Sequence, residues 1–323
     1  MAARKVVVTD YTFPALEAEA RAAETAGATF ESRQCRNADE VVAAVRDADI
    51  AVVQFAPLTA AAIAGLRSGA AVIRYGIGYD NVDVEAARHR GIPVGYVPDY
   101  CTEEVADHTV ALILAQLRKL ARLDASVRDG RWAAVAVAEP IKPYRETTIG
   151  FLGLGQIGRA VLERLRPSGF AFVVSDPMLD GAGAAALGVT LLDPESLVAA
   201  ADVLTLHALL TAATRAFVNT ERLSRMRPGA IVINTARGAL VDEGAVAAAA
   251  TAGQIGGAAL DVFSAEPLAA DSPLRSAPGV LLTPHAAWYS TGAITRLQTL
   301  VAADIAAHLD GRPLRKPVPG SAA

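Results

Sequence analysis

The segment Thr147–Asp176, TTIGFLGLGQIGRAVLERLRPSGFAFVVSD, decides the fold of this chain. The apolar run Ile149–Leu152 predicts a buried strand, and a helical pattern with an apolar face follows it. A second apolar run, Phe170–Val174, predicts another strand, which ends just before Asp176. The order strand, helix, strand predicts a βαβ unit with parallel strands.

The turn between the first strand and the helix contains three glycines with the spacing G-x-G-x-x-G. Gly153 permits a tight turn, Gly155 lets the backbone approach a pyrophosphate, and Gly158 lets the helix pack on the strand. A lone motif of this kind is weak evidence, but here Asp176 follows at the position that binds a ribose diol. We therefore predict dinucleotide binding. The predicted contacts of this segment are Gly153, Gly155, Gln156, Ile157, Gly158 and Asp176.

Length and composition narrow the class of protein. The chain has 323 residues, of which 52% are hydrophobic and 20% charged, with a net charge of −4. About two domains are expected, and an acidic balance argues against a nucleic-acid partner. Cys35 and Cys101 form no disulfide framework, and no histidine spacing suggests a metal site. We expect no metal, no membrane span, no signal peptide and a cytoplasmic location.

Residues 1 to about 100 alternate short apolar runs with helical patterns, which predicts a small open α/β domain. Thr102–Leu123 is the longest helical pattern and is expected to lead into the second domain. Asp124–Thr147 lacks periodicity and is predicted to be a loop. The predicted strands of the first hundred residues are Val6–Thr9, Ile50–Val53, Val72–Arg74 and Ile92–Gly95.

Polar side chains follow three predicted strands of the second half. Arg237, Glu266 and His285 each come soon after an apolar run. Parallel strands deliver their carboxyl ends to one edge of a sheet, so these side chains are expected to meet beside the cofactor. His207 also ends a strand, but its own segment offers no acidic partner, and we place it nearer the cofactor. The three runs are Ile231–Asn234, Ala258–Val262 and Val280–Thr283.

The chemistry of this trio fits hydride transfer to a 2-keto acid. Hydride addition builds negative charge on the carbonyl oxygen, and a histidine can supply the proton. An arginine can hold a carboxylate through two parallel hydrogen bonds. The sequence therefore predicts Arg237, Glu266 and His285 as the catalytic residues.

Several stretches resemble the D-isomer-specific 2-hydroxyacid dehydrogenases, over nearly the whole chain. The resemblance implies an α/β fold with two doubly wound parallel-sheet domains. In it, a Rossmann NAD-binding domain, residues 102–286, is inserted into a flavodoxin-like substrate domain, residues 1–101 and 287–323. The matching motifs are GLGQIG with Asp176, RYGIGYDNVD, NTARGALVDEGAV, GAALDVFSAEPL and TPHAAWYS.

The same resemblance implies roles for individual residues. Arg237 would clamp the substrate, Glu266 would tune the histidine, and His285 would act as acid and base. Tyr75 is larger than the small residue expected in the substrate loop. The other implied cofactor contacts are Ile77, His207, Thr235, Ala236 and Asp261, and the implied substrate contacts are Arg74, Tyr75, Gly76 and Trp288.

Trp288 is similar to a pocket tryptophan in the branch that contains the C-terminal-binding-protein corepressors and their bacterial relatives. The family also implies a homodimer formed through the Thr102–Leu123 region, and a small 2-keto or 2-hydroxy acid as substrate. Two alternatives stay open. The chain could be an NAD(H)-sensing interaction protein, or a dehydrogenase that acts on formate or phosphite.

Overall fold

The computed structural model describes residues 3–322. These residues divide into two units. The first consists of the described residues up to Cys101 together with those from Ser290 onward, and the second is Thr102–Tyr289. No helix among the described residues is both long and apolar enough to cross a bilayer.

The first unit is built on a 5-stranded sheet in which every pair of neighbouring strands is parallel. The strand order, β2-β1-β3-β4-β5, is the flavodoxin-like order. The strands are β1 Arg4–Val8, β2 Ala28–Ser32, β3 Ile50–Val53, β4 Ala71–Arg74 and β5 Val94–Gly95. The helices, numbered along the whole chain, are α1 Glu17–Thr25, α2 Ala38–Ala44, α3 Ala60–Gly65, α4 Val84–His89 and α13 Thr291–Leu309.

Helix α13 completes the first unit although it comes from the far end of the sequence. It packs against α1, and Gln298 in α13 donates a hydrogen bond of 2.7 Å to the carbonyl of Ala15. Ala293, Leu297 and Val301 of α13 are fully buried. The sheet of the first unit is therefore covered by helices from two distant parts of the chain.

The second unit is built on a 7-stranded parallel sheet with the order β12-β11-β10-β9-β6-β7-β8. The chain order reverses between β6 and β9, as in the Rossmann fold. The strands are β6 Thr148–Leu152, β7 Ala171–Ser175, β8 Thr190–Leu191, β9 Val203–Leu206, β10 Ile231–Asn234, β11 Gly257–Leu260 and β12 Val280–Leu282. The helices are α5 Thr102–Leu117, α6 Leu120–Arg128, α7 Ala134–Ala138, α8 Gln156–Leu165, α9 Gly181–Ala186, α10 Pro194–Ala200, α11 Thr220–Arg225 and α12 Glu243–Thr251.

Both faces of this sheet are buried. Ile231 and Ile233 of β10 belong to the apolar cluster on one face, and Val232 belongs to the cluster on the other. Successive side chains of a strand point to opposite faces, which explains why this strand is a continuous apolar run. The predicted fold class, two doubly wound parallel sheets, is confirmed.

The long helix predicted over Thr102–Leu123 is wrong as a single element. It ends at Leu117, and α6 begins at Leu120 after Lys119, whose φ of +50° is left-handed. The predicted loop Asp124–Thr147 is also partly helical, because it contains the end of α6 and all of α7.

The junction that leads back into the first unit lies between Tyr289 and Ser290. The expected boundary before Ala287 therefore differs from the observed division. The physical reason is Asp261 of the second unit, whose carboxylate accepts hydrogen bonds from the N–H groups of Ala286 and Ala287 at 2.8 and 2.9 Å.

Candidate active site

The glycine loop between β6 and α8 is shaped by contacts with the strand beside it. Gly153 has a φ of +84°, and a Cβ there would lie 2.8 Å from the backbone nitrogen of Ala208. A Cβ on Gly158 would lie 3.0 Å from the carbonyl oxygen of Gly153. Position 153 therefore requires glycine, whereas a side chain at position 158 would need the neighbouring backbone to move by a few tenths of an ångström.

Gly155 differs from these two, because a Cβ there would meet no heavy atom of the described chain within 4 Å. Gly155 is the N-cap of α8, and its carbonyl accepts the N–H of Arg159. The amides of Gln156, Ile157 and Gly158 precede that first helical bond, so the helix itself does not use them. These amides can bind a phosphate, and no side chain at Gly155 blocks the approach to them.

Asp176 holds the glycine loop from the end of β7. One carboxylate oxygen accepts the N–H of Leu154 at 2.6 Å, and the other accepts the N–H of Met178 at 2.7 Å. Each oxygen has a further lone pair, which leaves acceptors for ribose hydroxyls. The side chain therefore combines a structural contact with the predicted ribose contact.

His207 lies against the same loop and is neutral. Its ring stacks on Phe151 with centroids 5.8 Å apart, and its Nε2 atom is 3.0 Å from the hydroxyl of Thr205. Burial lowers the pKa of His207 to about 4. An imidazole with this pKa is almost entirely in its neutral form at neutral pH, which makes His207 a weak general acid.

The Arg237 turn follows β10 and is held by a side chain that the sequence analysis did not single out. Asn234 is fully buried, accepts the N–H of Ala236 at 3.0 Å and donates to the carbonyl of Arg237 at 2.8 Å. Nη1 of Arg237 bonds the carbonyl of Ala236 at 2.7 Å. An Asn that ends a strand just before a turn is the available sequence signal, because its amide readily binds nearby backbone.

Gly238 brings two functional loops together. A Cβ at this position would lie 1.9 Å from the carbonyl carbon of Phe263 and 2.4 Å from the nitrogen of Ser264. The turn that carries Arg237 therefore rests directly on the backbone of the loop that carries Glu266. Only a residue without a side chain permits this approach.

Glu266 and His285 form the central pair of the site. Oε2 of Glu266 lies 2.7 Å from Nδ1 of His285, and Oε1 accepts the N–H of Phe263 at 2.9 Å. Burial alone would raise the pKa of Glu266. Other contacts outweigh burial and hold that pKa below its ordinary value. They are the hydrogen bond and charge of His285, the Phe263 N–H and the charge of Arg237. Glu266 is therefore ionised at neutral pH.

Asp261 fixes the backbone that presents His285. It is fully buried, and its carboxylate accepts the Thr283 hydroxyl at 2.5 Å as well as the two amides at the unit junction. Its backbone carbonyl accepts the N–H of His285 at 2.7 Å, and His285 has a φ of +52°. The resemblance implied that Asp261 faces the cofactor, whereas its enclosed carboxylate contacts the turn around His285.

Thr235 is also directed into the second unit. Its hydroxyl lies 2.8 Å from that of Thr109, which donates its own proton to the carbonyl of Val105 at 2.7 Å. Thr235 must therefore donate to Thr109. Trp288 is half-buried and its ring meets that of Tyr289 edge-on, with centroids 6.0 Å apart.

The predicted substrate loop lies in the first unit and begins at the end of β4. Nη1 of Arg74 donates to the carbonyl of Tyr75 at 2.5 Å, and the half-buried Ile77 follows Gly76. The Tyr75 side chain is only 1% exposed. The Tyr75 ring is therefore enclosed by the first unit, and the substrate contact predicted for this residue stays a prediction.

The comparisons with known proteins identify the second unit. Residues 110–287 match the family model described as "D-isomer specific 2-hydroxyacid dehydrogenase, NAD binding domain". The chain belongs to this family. Among the described residues, no group of three or more histidine, cysteine, aspartate or glutamate side chains is arranged to hold a metal ion.

Members of this dehydrogenase family resemble the chain over different lengths. The D-3-phosphoglycerate dehydrogenase of Mycobacterium tuberculosis H37Rv is 38% identical over 274 residues, which cover 84% of this chain and 51% of that protein. The chain thus spans about half the length of the curated relatives it matches.

Two solved structures cover the whole fold. The NADPH-dependent glyoxylate/hydroxypyruvate reductase of Sinorhizobium meliloti is 32% identical with a TM-score of 0.83, over 99% of this chain and 98% of that one. A formate dehydrogenase of Granulicella is 26% identical with a TM-score of 0.89, over 99% of each chain.

NAD fits the residues of the second unit. The open face of Gly155 and the amides of residues 156–158 suit its pyrophosphate. The acceptor lone pairs of Asp176 suit the ribose diol. These features agree with the NAD-binding domain that the family match assigns to residues 110–287.

Proposed function

We propose that the protein is an NAD-dependent dehydrogenase that interconverts a 2-keto acid and a D-2-hydroxy acid. The observation that carries this proposal is the 2.7 Å contact between Glu266 and His285, in the unit that matches the family's NAD-binding domain. A purely sensory protein would not need an ionised carboxylate to orient a histidine in this way.

His285 is the proposed acid and base. An ionised carboxylate only accepts hydrogen bonds, so Nδ1 of His285 donates to Glu266 and Nε2 holds the transferable proton. When bound, NADH would supply the hydride. Nε2 of His285 would donate its proton to the carbonyl oxygen, where negative charge develops. Oxidation of the hydroxy acid reverses this transfer, with neutral His285 as the base.

Two arginines are the proposed anchors of the substrate. Arg237 is held by its turn beside the Glu266 loop, and its planar guanidinium suits a carboxylate or a polarised carbonyl. Arg74 in the first unit is the second proposed contact, together with the backbone of Gly76. Trp288 is the proposed apolar wall for the substrate side chain, and burial of apolar area is worth about 25 cal/mol per Å².

NADH is the proposed cofactor in preference to NADPH. The carboxylate of Asp176 would repel a 2′-phosphate, and the following residues, Pro177, Met178 and Leu179, offer no cation. This preference would distinguish the chain from the NADPH-dependent reductase that it resembles.

We also propose a homodimer through the Thr102–Leu123 region and its continuation. Helices α6 and α7 and their connection expose apolar side chains that a second copy could cover. Leu120 is 55% exposed, Trp132 92% and Val135 73%. The proposed location is the cytoplasm, where the free cysteines Cys35 and Cys101 would stay reduced.

The test is NADH oxidation against pyruvate, glyoxylate, hydroxypyruvate and phenylpyruvate, with formate and phosphite tested for NAD reduction. We expect turnover of at least one keto acid and loss of most kcat in His285→Ala, while NADH binding measured by fluorescence persists. Turnover of formate or phosphite alone would replace the proposed substrate class. NADH binding without any turnover would favour the sensory alternative.

A further inference from the structure

A buried hydrogen bond lies directly behind the proposed substrate loop. The hydroxyl of Tyr75 donates to Oε1 of Glu19 at 2.8 Å. Tyr75 is 1% exposed and Glu19 is fully buried on α1. A carboxyl group in such a place needs a compensating partner, because burial of an unpaired polar group is costly.

Both members of this pair are held by other elements of the first unit. The ring of Tyr75 meets Phe13 edge-on, with centroids 5.1 Å apart. Gln298 of α13 donates to the carbonyl of Ala15 at 2.7 Å and approaches Oε2 of Glu19 at 3.4 Å. The phenol is therefore fixed by contacts on more than one element, and it cannot rotate away without breaking the pair.

The backbone of Tyr75 is equally constrained at the start of the loop. Its N–H donates to the carbonyl of Val53 at 2.8 Å, and the carbonyl of Gly76 accepts the N–H of Val97 at 3.1 Å. Gly76 has a φ of +131°, which favours glycine. The peptide that joins Tyr75 to Gly76 thus has little freedom once the Tyr75 side chain is fixed.

The guanidinium of Arg74 rests on that same peptide. It donates to the carbonyl of Tyr75, and a Cβ on Gly76 would lie 1.8 Å from its Nη1 atom. The position of the guanidinium therefore depends on the orientation of the residue 75–76 backbone. A shift of the Tyr75 ring would move this carbonyl and the Arg74 head with it.

We propose that Glu19 and Tyr75 are positioning residues for substrate binding, because their hydrogen bond fixes the backbone on which Arg74 rests. This inference rests on the proposed function, since it assigns Arg74 to a keto-acid carboxylate. The side chains of Glu19 and Tyr75 act without touching the substrate. Their effect is on how well the loop is organised before the substrate arrives.

Three variants separate positioning from simple stability. Tyr75→Phe removes only the hydroxyl. Glu19→Leu removes the acceptor and fills the buried position with an apolar side chain. Glu19→Gln keeps a carbonyl oxygen that can accept from Tyr75. Because burial raises the pKa of Glu19, the neutral amide is also compatible with its surroundings. Tyr96→Phe is the matched control, a half-buried phenol of the same unit whose ring meets that of Tyr79 edge-on.

The measurements are the KM for the best keto acid, the KM for NADH, kcat and Tm. We expect Tyr75→Phe and Glu19→Leu to raise the keto-acid KM on the order of fivefold to tenfold, the value of one hydrogen bond. The KM for NADH should stay within about twofold. Glu19→Gln and Tyr96→Phe should have the keto-acid KM of the wild type. The double variant Tyr75→Phe/Glu19→Leu should have a keto-acid KM no higher than that of the more affected single variant. The increase in Tm that oxamate causes in the presence of NADH gives a second measure of substrate binding, and it needs no turnover.

A lowered Tm with an unchanged keto-acid KM in Tyr75→Phe and Glu19→Leu would overturn the positioning role, and so would additive effects in the double variant. If one of these variants fails to fold, the other gives the same comparison. Wild-type inactivity on every keto acid is a different result, which overturns the proposed function and this role with it.

Discussion

Oε2 of Glu266 lies 2.7 Å from Nδ1 of His285, and the backbone around His285 is set by the buried carboxylate of Asp261. One acidic side chain thus faces the imidazole while another fixes the turn that carries it. The two carboxylates act on different parts of the same residue, which makes their substitution experiments distinguishable.

Glu266→Gln should move the pH profile of keto-acid reduction. Burial raises the pKa of Glu266, but the His285 hydrogen bond and charge, the Phe263 N–H and the Arg237 charge outweigh it and hold that pKa below its ordinary value. Wild-type kcat/KM should therefore fall only at acidic pH, as this carboxylate is protonated, and the variant, which has no carboxylate, should lack this acidic limb. The measurement is kcat/KM across the pH range with saturating NADH. An unchanged profile would remove Glu266 from its proposed role.

Gly238→Ala should disrupt the contact between the Arg237 and Glu266 loops. The new Cβ would meet the backbone of Phe263 and Ser264, which cannot rotate aside as a side chain can. We expect a loss of about 1–3 kcal/mol in the free energy of unfolding and a large fall in kcat. Gly244→Ala, within α12, is the control. It should fold normally, because its Cβ would be 3.4 Å from the nearest atom.

Gly155→Ala should weaken NADH binding without destabilising the protein. Its Cβ would meet no atom of the described chain, so Tm should not change, but it would occupy the space proposed for the pyrophosphate. Gly181→Ala, at the start of α9, is the control because its Cβ is equally free of contacts. Equal NADH affinities by fluorescence titration in the two variants would argue against this loop as the phosphate site.

Asp176→Asn should narrow the preference for NADH over NADPH. The negative charge and the bond from the Met178 N–H are lost, but the amide oxygen can still accept the N–H of Leu154, so the glycine loop keeps that bond. Asp176→Ala would lose that bond as well, and should therefore also lower NADH affinity. The comparison is kcat/KM for the two cofactors. A wild type that uses both equally well would contradict the proposed preference.

Asp202→Asn should lower stability in a pH-dependent way. Burial disfavours the charge of Asp202, but Lys142, the N–H of Thr148 and Arg227 outweigh it and hold its pKa below the ordinary value. A depressed folded-state pKa stabilises the protein above the unfolded-state pKa, and this is lost as the pH falls through the folded value.

The free energy of unfolding of the variant should therefore be about 1–3 kcal/mol lower than that of the wild type at neutral pH. The difference should begin to shrink below about pH 4, where aspartate in the unfolded chain becomes protonated, and should disappear at pH values below the folded-state pKa of Asp202. Urea unfolding at several pH values checks this. A difference that persists unchanged into strong acid would show that the charge is not its source.

Sequence patterns predicted the buried parts of the fold best. Ile50–Val53 and Ile231–Asn234 are strands with the predicted limits, because each is a continuous apolar run in a sheet covered on both faces. Strand β2 carries polar side chains at a sheet edge, and β8 has only two residues, so neither gave a clear signal. The break between α5 and α6 at Lys119 also gave no sequence signal, since no glycine or proline marks it.

For the site, strand ends predicted that Glu266 and His285 lie close together. The backbone contacts that hold the two loops could not be predicted from strand ends. Nothing in sequence spacing shows that Gly238 lies against Phe263, or that Asn234 ties the Arg237 turn. Tyr75 was assigned to the substrate because of its place in the loop, whereas the direction of its side chain depends on Glu19, far away in sequence.

The pairing of α1 with α13 has a consequence for biosynthesis. The second unit is one continuous stretch, so it can fold as soon as that stretch leaves the ribosome. The first unit must wait for α13, which emerges on the order of tens of seconds after β4 at ordinary elongation rates. During that interval the face of α1 that carries Glu19 and Ala23 lacks its helical cover, and a nascent-chain chaperone would have the largest uncovered surface to protect.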